Sequence, residues 1–295
     1  MSGQTVAVRL PRWEFERFAG EDARLDARMK STGEVMGLGR SLPEAISAAR
    51  RCRSPRHPFP GLRGEMASMS LDALMQTLVL PSPERLDILY EALIKGARPQ
   101  DLSAAAGIDV QWMHALGSLA ELEGKLSSLK GQSLPDELIK KAVETGLTES
   151  GLACLLEMPG EEAVKRIEDA GVRIRPHASI ESQGARVWFH TAAGNQTSHR
   201  PMGKSILIVG PGSGRIGHGI EQDHCCVHGA RALRAAGRRS ILVNANPAAT
   251  GGVNDFDRTY VTPLTSSAVI SVCRSEKPDG VILQFGGYAA MDLAS

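Results

Sequence analysis

Residues 205–219 read SILIVGPGSGRIGHG, an unbroken apolar run followed by a glycine-rich loop. The run has the length and the β-branched content of a buried strand, and a helical pattern follows the loop. Two further strand-like runs, 240–244 and 280–284, are separated by a helical segment near 266–275. Strands that alternate with helices form parallel βαβ units, so residues 204–295 are predicted to be a doubly wound α/β domain with a Rossmann-like parallel sheet.

The glycine-rich loop contains the spacing GxGxxG, directly after a strand and before a helix. Backbone amides at a helix start are unpaired and the helix dipole is positive there, so such a loop can hold a phosphate. The candidate cofactor-binding residues are Gly210, Gly212, Gly214, Arg215, Gly217 and Gly219. A dinucleotide site also needs an acid at the end of the second strand, where this chain has Asn244-Ala245-Asn246-Pro247. Three interpretations stay open: a phosphate cradle for a dinucleotide, a site for another ligand, or a loop that only permits tight packing of strand against helix.

The helix after the loop carries a second candidate group. His224 and His228 are four residues apart, which is the spacing of metal ligands on one helical face. Cys225 and Cys226 precede apolar residues of the same helix and are interpreted as small core residues. We therefore predict no metal site, and we find no pairing of nucleophile and base that would define a catalytic residue.

The N-terminal region, residues 1–52, begins with the apolar and polar alternation of a strand, and 33–39 is an apolar run bracketed by glycines. Ser41 and Glu44 have the spacing of a capping box, which predicts a helix to about Cys52. The segment 9–17 mixes arginines with aromatic residues, and it is interpreted as a solvated surface segment with cation–π packing.

A helical pattern extends from about residue 70 to 171. Ser82 followed by Pro83, and Asp109 further on, are predicted helix starts, while Gly96 is a predicted end. The full division is a region 1–52, a linker 53–69, a helical domain 70–185, a second linker 186–203 and the α/β domain 204–295. The linkers are assigned from their proline, glycine and polar content.

Composition limits the classes of function. The net charge of +1 and the lack of a basic stripe argue against nucleic acid, and no apolar run reaches membrane-spanning length. Five cysteines without CxxC spacing fit reduced thiols, so a cytoplasmic protein is expected.

Four segments resemble one family, the large subunit of carbamoyl-phosphate synthase. Residues 9–20 and 29–40 are similar to the end of its first ATP-grasp unit. Residues 215–228, RIGHGIEQDHCCVH, are similar to the start of its second half, and 276–287 to the strand that closes the same small domain. On this resemblance, 1–52 is a short α+β tail of an ATP-grasp unit, 70–185 is an all-helical oligomerisation domain, and 204–295 is a pre-ATP-grasp domain.

The resemblance implies a share in carbamoyl phosphate synthesis from bicarbonate, glutamine-derived ammonia and ATP, for arginine and pyrimidine biosynthesis. It implies ATP with Mg²⁺ or Mn²⁺ in the complete enzyme, but no cofactor in this chain alone and no activity alone. The implied partners are the missing ATP-grasp lobes or an intact large subunit, a glutaminase small subunit, and further copies bound through the helical domain. The alternatives are a non-catalytic, self-associating interaction protein and an independent nucleotide-binding module.

Overall fold

A computed structural model describes residues 5–18, 20–54, 65–178, 187–192, 200–246 and 253–294. The contacts between residues divide the chain into two compact units. The α/β unit comprises residues 1–14, 31–56 and 173–295, and the helical unit comprises residues 15–30 and 57–172. Most of the predicted linker after residue 53 and the polar run before Arg200 lie outside the described residues.

The N-terminal part of the α/β unit is a pair of strands with one helix. Strand β1 (Val6–Arg12) pairs antiparallel with β2 (Gly33–Gly39), and α1 (Leu42–Arg53) follows. The predicted cap is confirmed, because the Glu44 amide donates to Ser41 Oγ at 3.3 Å. A Cβ atom at Gly37 would lie 2.1 Å from the Ala49 nitrogen, so this glycine permits the close packing of β2 against α1.

The helical unit contains α2 (Glu65–Ser68), α3 (Leu71–Thr77), α4 (Arg85–Ile94), α5 (Pro99–Ala106), α6 (Val110–Ser128), α7 (Asp136–Glu144), α8 (Glu149–Leu156) and α9 (Gly160–Asp169). Asp109 caps α6 as predicted, since its Oδ1 accepts from the Gln111 amide at 2.7 Å. The prediction that Ser82 caps a helix is wrong. The Ser82 carbonyl accepts from the Arg85 amide at 3.2 Å in a turn, and α4 begins after that turn.

One six-stranded sheet organises the rest of the α/β unit. Its strands are β3 (Arg175–Ala178), β4 (Val187–Thr191), β5 (Ser205–Val209), β6 (Arg239–Asn244), β7 (Arg258–Val261) and β8 (Gly280–Ile282), in the order β3-β4-β7-β6-β5-β8. Helix α10 (Ile220–Ala235) connects β5 to β6, α11 (Ser266–Glu276) connects β7 to β8, and α12 (Gly287–Met291) follows β8.

The prediction of a parallel sheet is confirmed for the strands within residues 204–295, but the sheet extends beyond that range and is mixed as a whole. β4, β7, β6, β5 and β8 pair in parallel, whereas β3 pairs antiparallel with β4 at the edge. Only eight residues separate β3 from β4 in sequence. A parallel crossover needs a dozen or more residues, so strands this close along the chain pair antiparallel.

The sheet carries helices on both faces, which confirms the doubly wound prediction. Leu207 and Ile241 face a cluster that includes Val269 and Val272 of α11. The alternate residues Ile208 and Leu242 face the other cluster, with Cys226, Val227 and Ala230 of α10. Successive residues of a strand point to opposite faces, so each apolar strand supplies both cores.

Polar contacts attach the N-terminal elements to this sheet. The Met36 amide donates to the Ala245 carbonyl at 2.9 Å, and Thr191 Oγ1 donates to Glu44 Oε1 at 2.6 Å. Burial raises the pKa of the Glu44 carboxyl group. Arg40 Nη1 lies 2.8 Å from His177 Nε2, and burial together with the Arg40 charge lowers the pKa of His177.

These contacts change two parts of the predicted division. The predicted helical domain contains β3 and the predicted second linker contains β4, but both are strands of the α/β sheet. Both strands are short, and their apolar residues are buried only by contact with residues distant in sequence. An example is the cluster of Phe189 with Leu38 and Val261. No helix among the described residues is both long and apolar enough to cross a membrane.

Candidate functional site

The glycine-rich loop, residues 210–219, lies at the carboxyl end of β5. The sheet order places β6 on one side of β5 and β8 on the other, and the chain reaches these neighbours through helices on opposite faces. A point where strand connections diverge in this way is the usual ligand-binding position of an open α/β sheet. The loop therefore lies where an open α/β sheet is expected to bind a ligand.

Neighbouring protein groups accept hydrogen bonds from most of the loop amides. The Gly210 amide donates to the Val243 carbonyl, the Gly212 amide to Asn244 Oδ1, and the Gly219 amide to Gln222 Oε1, each at 2.8 Å. Arg215 and His218 exchange two backbone hydrogen bonds of 2.7 and 2.9 Å. An anion bound here would compete with these internal acceptors.

One internal acceptor is itself an anion. The Ile216 amide donates to Glu14 Oε2 at 2.6 Å, and Glu14 is only 3% exposed. Arg12 Nη1 donates to Ser213 Oγ at 2.9 Å in the same region. A carboxylate of the chain thus already occupies part of the electropositive surface that amides offer at such a loop.

Four of the five glycines in the loop are required by a close contact or by a backbone angle, and Gly219 meets neither condition. Gly212 and Gly217 have φ angles of +78° and +77°, which side chains rarely tolerate. A Cβ atom at Gly210 would lie 2.8 Å from the Asn244 side chain, and at Gly214 only 3.2 Å from the Thr32 carbonyl oxygen. These positions therefore have a packing reason that is independent of any ligand.

The rim of the loop carries His218 and Tyr288. Their rings meet edge to face with centroids 5.1 Å apart, and Tyr288 is 76% exposed. Arg215, Ile216 and Gly217 are also exposed, whereas residues 210–213 are buried. Of the predicted binding residues, Gly210 and Gly212 are therefore buried and engaged with β6, Arg215 and Gly217 are exposed, and Gly214 and Gly219 are half-buried.

Asp223 has a perturbed titration. Burial, and secondly the charge of Glu221, raise its pKa to about 6, while an interaction with Asn244 opposes the shift. Burial also raises the pKa of the nearby Cys226 thiol to about 12, so this thiol is not a reactive thiolate. A carboxyl group with a raised pKa beside a glycine loop is a candidate acid or base.

The second candidate group, His224, Cys225, Cys226 and His228 of α10, is buried only in part. Cys226 is buried, as predicted, but Cys225 is exposed, because α10 packs on the sheet through Cys226, Val227 and Ala230 and Cys225 lies off that face. His224 and His228 are exposed as well, with ring centroids 4.3 Å apart. Within the described part of the chain, no three His, Cys, Asp or Glu side chains form a group that could hold a metal ion.

Sequence reasoning missed the side chains that close the loop. Glu14 and Arg12 lie in the segment interpreted as solvated, which is wrong for Glu14 because it is buried against Ile216. The sequence prediction notes only that Asn244 stands where a dinucleotide site would have an acidic residue. In the structure, Asn244 Oδ1 accepts hydrogen bonds from the amides of both Gly212 and Ala245. No local pattern marks these partners, because about 200 residues separate Glu14 from Ile216 along the chain.

The described geometry defines a class of protein: a helical domain joined to a doubly wound α/β domain with a glycine-rich loop at its switch point. Comparison with family models gives this class a name. Residues 202–295 match the carbamoyl phosphate synthase preATP-grasp domain, and residues 34–171 match the oligomerisation domain of the carbamoyl-phosphate synthetase large chain.

Curated relatives agree along nearly the whole chain. The carbamoyl phosphate synthase large chain of Xanthomonas campestris is 34% identical over 304 residues, and the arginine-specific large chain of Bacillus subtilis is 31% identical over 297. The large chain of Archaeoglobus fulgidus is 30% identical over 300 residues. Each match covers 98% of this chain but only 28% or 29% of the relative. The chain belongs to the carbamoyl-phosphate synthase large-subunit family and spans less than a third of its relatives' length.

Proposed function

We propose that this chain supplies the scaffold and assembly region of a carbamoyl-phosphate synthase large subunit, and that it makes no carbamoyl phosphate by itself. The proposed reaction of the complete enzyme joins bicarbonate, glutamine-derived ammonia and phosphate from ATP. The two matched domains, for oligomerisation and before an ATP-grasp unit, support the scaffold role. ATP with Mg²⁺ or Mn²⁺ would be bound by the ATP-grasp units, not by the residues described above.

The observation that carries this proposal is the internal occupation of the glycine-rich loop. Phosphoryl transfer requires a nucleotide clamp and metal ligands. Here the Glu14 carboxylate and the Asn244 amide oxygen accept from loop amides that a phosphate would need. The loop is better suited to fixing β1 and β6 against the start of α10 than to binding a nucleotide.

The test is an assay with and without added ATP-grasp units and a glutaminase small subunit. Bicarbonate-dependent ATP hydrolysis and carbamoyl phosphate formation are measured for the purified chain alone, and after addition of separately produced ATP-grasp units and a glutaminase small subunit. We expect no turnover alone and association with the added parts. The intact Bacillus subtilis large chain serves as a positive control, and ATP turnover by the chain alone would contradict the proposal.

Self-association is the second proposed property, and exposed apolar side chains of the helical unit favour it. Val79 and Leu80 are adjacent and 69% and 51% exposed. Sedimentation velocity should show an oligomer, and the double variant Val79→Asp/Leu80→Asp should shift it towards the monomer. Ile270→Asp is a matched control, because Ile270 is 47% exposed in the α/β unit. A wild-type chain that stays monomeric at all concentrations would exclude this property.

The alternative of an independent nucleotide-binding module is tested by calorimetry. Titration with ATP or NAD at millimolar concentration should give no saturable heat if the loop is closed as described. The variant Glu14→Ala separates the two interpretations, because it removes the internal carboxylate. Saturable binding by the wild-type chain would restore the phosphate-cradle interpretation of Gly210 to Gly219.

A further inference from the structure

We propose that His224 and His228 form a two-histidine clamp for a divalent transition metal, Ni²⁺ or Cu²⁺, on the exposed face of α10. This site is separate from the glycine-rich loop and does not depend on the proposed function. The two side chains are one helical turn apart, and their ring centroids are only 4.3 Å apart. Both are exposed, so an ion can reach them without a change of fold.

The geometry agrees with chelation by two imidazoles. Ligand nitrogens bound at about 2.1 Å to one ion are about 3 Å apart when they meet at a right angle. The two rings here have centroids 4.3 Å apart and planes inclined by 52°, which is close enough for both to reach one ion. The backbone spacing is already fixed, because α10 packs on the sheet through Cys226, Val227 and Ala230.

The surrounding charges also favour a cation. Glu221 is exposed one turn before His224, and Asp223 lies in the same first turn of the helix. The next cation along this face, Arg231, is paired with Asp255 at 3.0 Å. Arg231 therefore does not present an unpaired guanidinium group to the two histidines.

The presence of only two protein ligands favours Ni²⁺ or Cu²⁺ over structural Zn²⁺. Within the described residues no third His, Cys, Asp or Glu joins the pair in a metal-binding group, so water must complete the coordination shell. A structural zinc site normally has four protein ligands. Ni²⁺ and Cu²⁺ bind nitrogen donors more tightly than the earlier divalent metals of the series and accept a tetragonal shell with water.

The test is a calorimetric titration of the full chain with NiCl₂ in a non-coordinating buffer. Ni²⁺ is preferred to Cu²⁺ because the exposed Cys225 thiol can reduce Cu²⁺. We expect one equivalent to bind, and His224→Ala and His228→Ala each to lower the affinity at least about tenfold. His114→Ala is the matched control, since His114 is an exposed helical histidine in the helical unit, and it should leave the affinity unchanged.

Two further measurements keep the test decisive. Cys225→Ser should retain binding, whereas loss of binding in that variant would assign the ion to the thiol and overturn the proposal. Ni²⁺ should raise the unfolding temperature of the wild-type chain but not of His224→Ala/His228→Ala, and circular dichroism verifies that this variant is folded. Unchanged affinity in the double variant would also overturn the proposal.

Discussion

Glu14 shows how much one buried carboxylate contributes to the arrangement of the loop. It is 3% exposed and accepts from the Ile216 amide at 2.6 Å. Glu14→Ala removes this acceptor, and we expect the free energy of unfolding to fall by about 1–3 kcal/mol. Glu14→Gln keeps an acceptor oxygen and should lose less. Urea denaturation measures both, and exposed Glu16→Ala should change the value by less than about 0.5 kcal/mol. Equal values for Glu14→Ala and Glu16→Ala would refute the role of Glu14.

The raised pKa of Asp223 predicts that the stability of the chain depends on pH. Its pKa is about 6 in the folded chain, mainly through burial and then through Glu221, against an ordinary value of 3.8. The folded chain therefore binds more protons than the unfolded chain between these values. The stabilisation present below pH 3.8 is lost as pH rises through 6.

Asp223→Asn removes this titration. Relative to wild type, the variant should gain stability on the order of 1 kcal/mol between pH 4 and pH 7, a discounted value because the side chain is partly exposed. Urea denaturation at several pH values measures this gain. Glu221→Gln removes a charge that raises the pKa of Asp223, so in that variant the loss of stability should occur at lower pH than in the wild type. A difference between variant and wild type that is independent of pH would show that Asp223 is not perturbed.

Gly37 sets the packing of two elements, β2 and α1. A Cβ atom there would lie 2.1 Å from the Ala49 nitrogen and 2.3 Å from the Ala45 carbonyl oxygen, and backbone atoms cannot rotate away. Gly37→Ala should lower the free energy of unfolding by about 1–3 kcal/mol or more. Gly280→Ala is the control in the same unit, because its nearest atom is Ile206 Cδ1 at an ordinary 3.4 Å. Similar effects of the two substitutions would show that the contact of β2 with α1 relaxes.

At the scale of the whole molecule, the division into two units predicts unfolding in more than one step. Trp188 lies in the core of the α/β unit, and Trp112 lies in the helical unit. Single-tryptophan chains, Trp13→Phe/Trp112→Phe and Trp13→Phe/Trp188→Phe, should therefore give different urea midpoints by fluorescence. Coincident midpoints, together with a single calorimetric transition, would mean that the two units unfold as one.

The sequence by itself determined most of the elements. The apolar run before the loop predicted β5, the capping pair Ser41 and Glu44 predicted α1, and Asp109 predicted the start of α6, because strand periodicity and helix caps are local properties. The same kind of local signal gave a wrong helix start at Ser82. Ser82 is followed by a turn, and α4 begins only at Arg85.

Only the tertiary structure decided which side chains meet the glycine-rich loop and which strands share its sheet. Glu14 and Ile216 are far apart in sequence, and β3 and β4 join the sheet by pairing with each other and with β7. The loop motif specified a strand, a turn and a helix start, which the fold contains. The free energy of burying the Glu14 carboxylate against the Ile216 amide depends on the assembled chain. The sequence around Gly212 therefore does not indicate that internal acceptors already engage the amides of the loop.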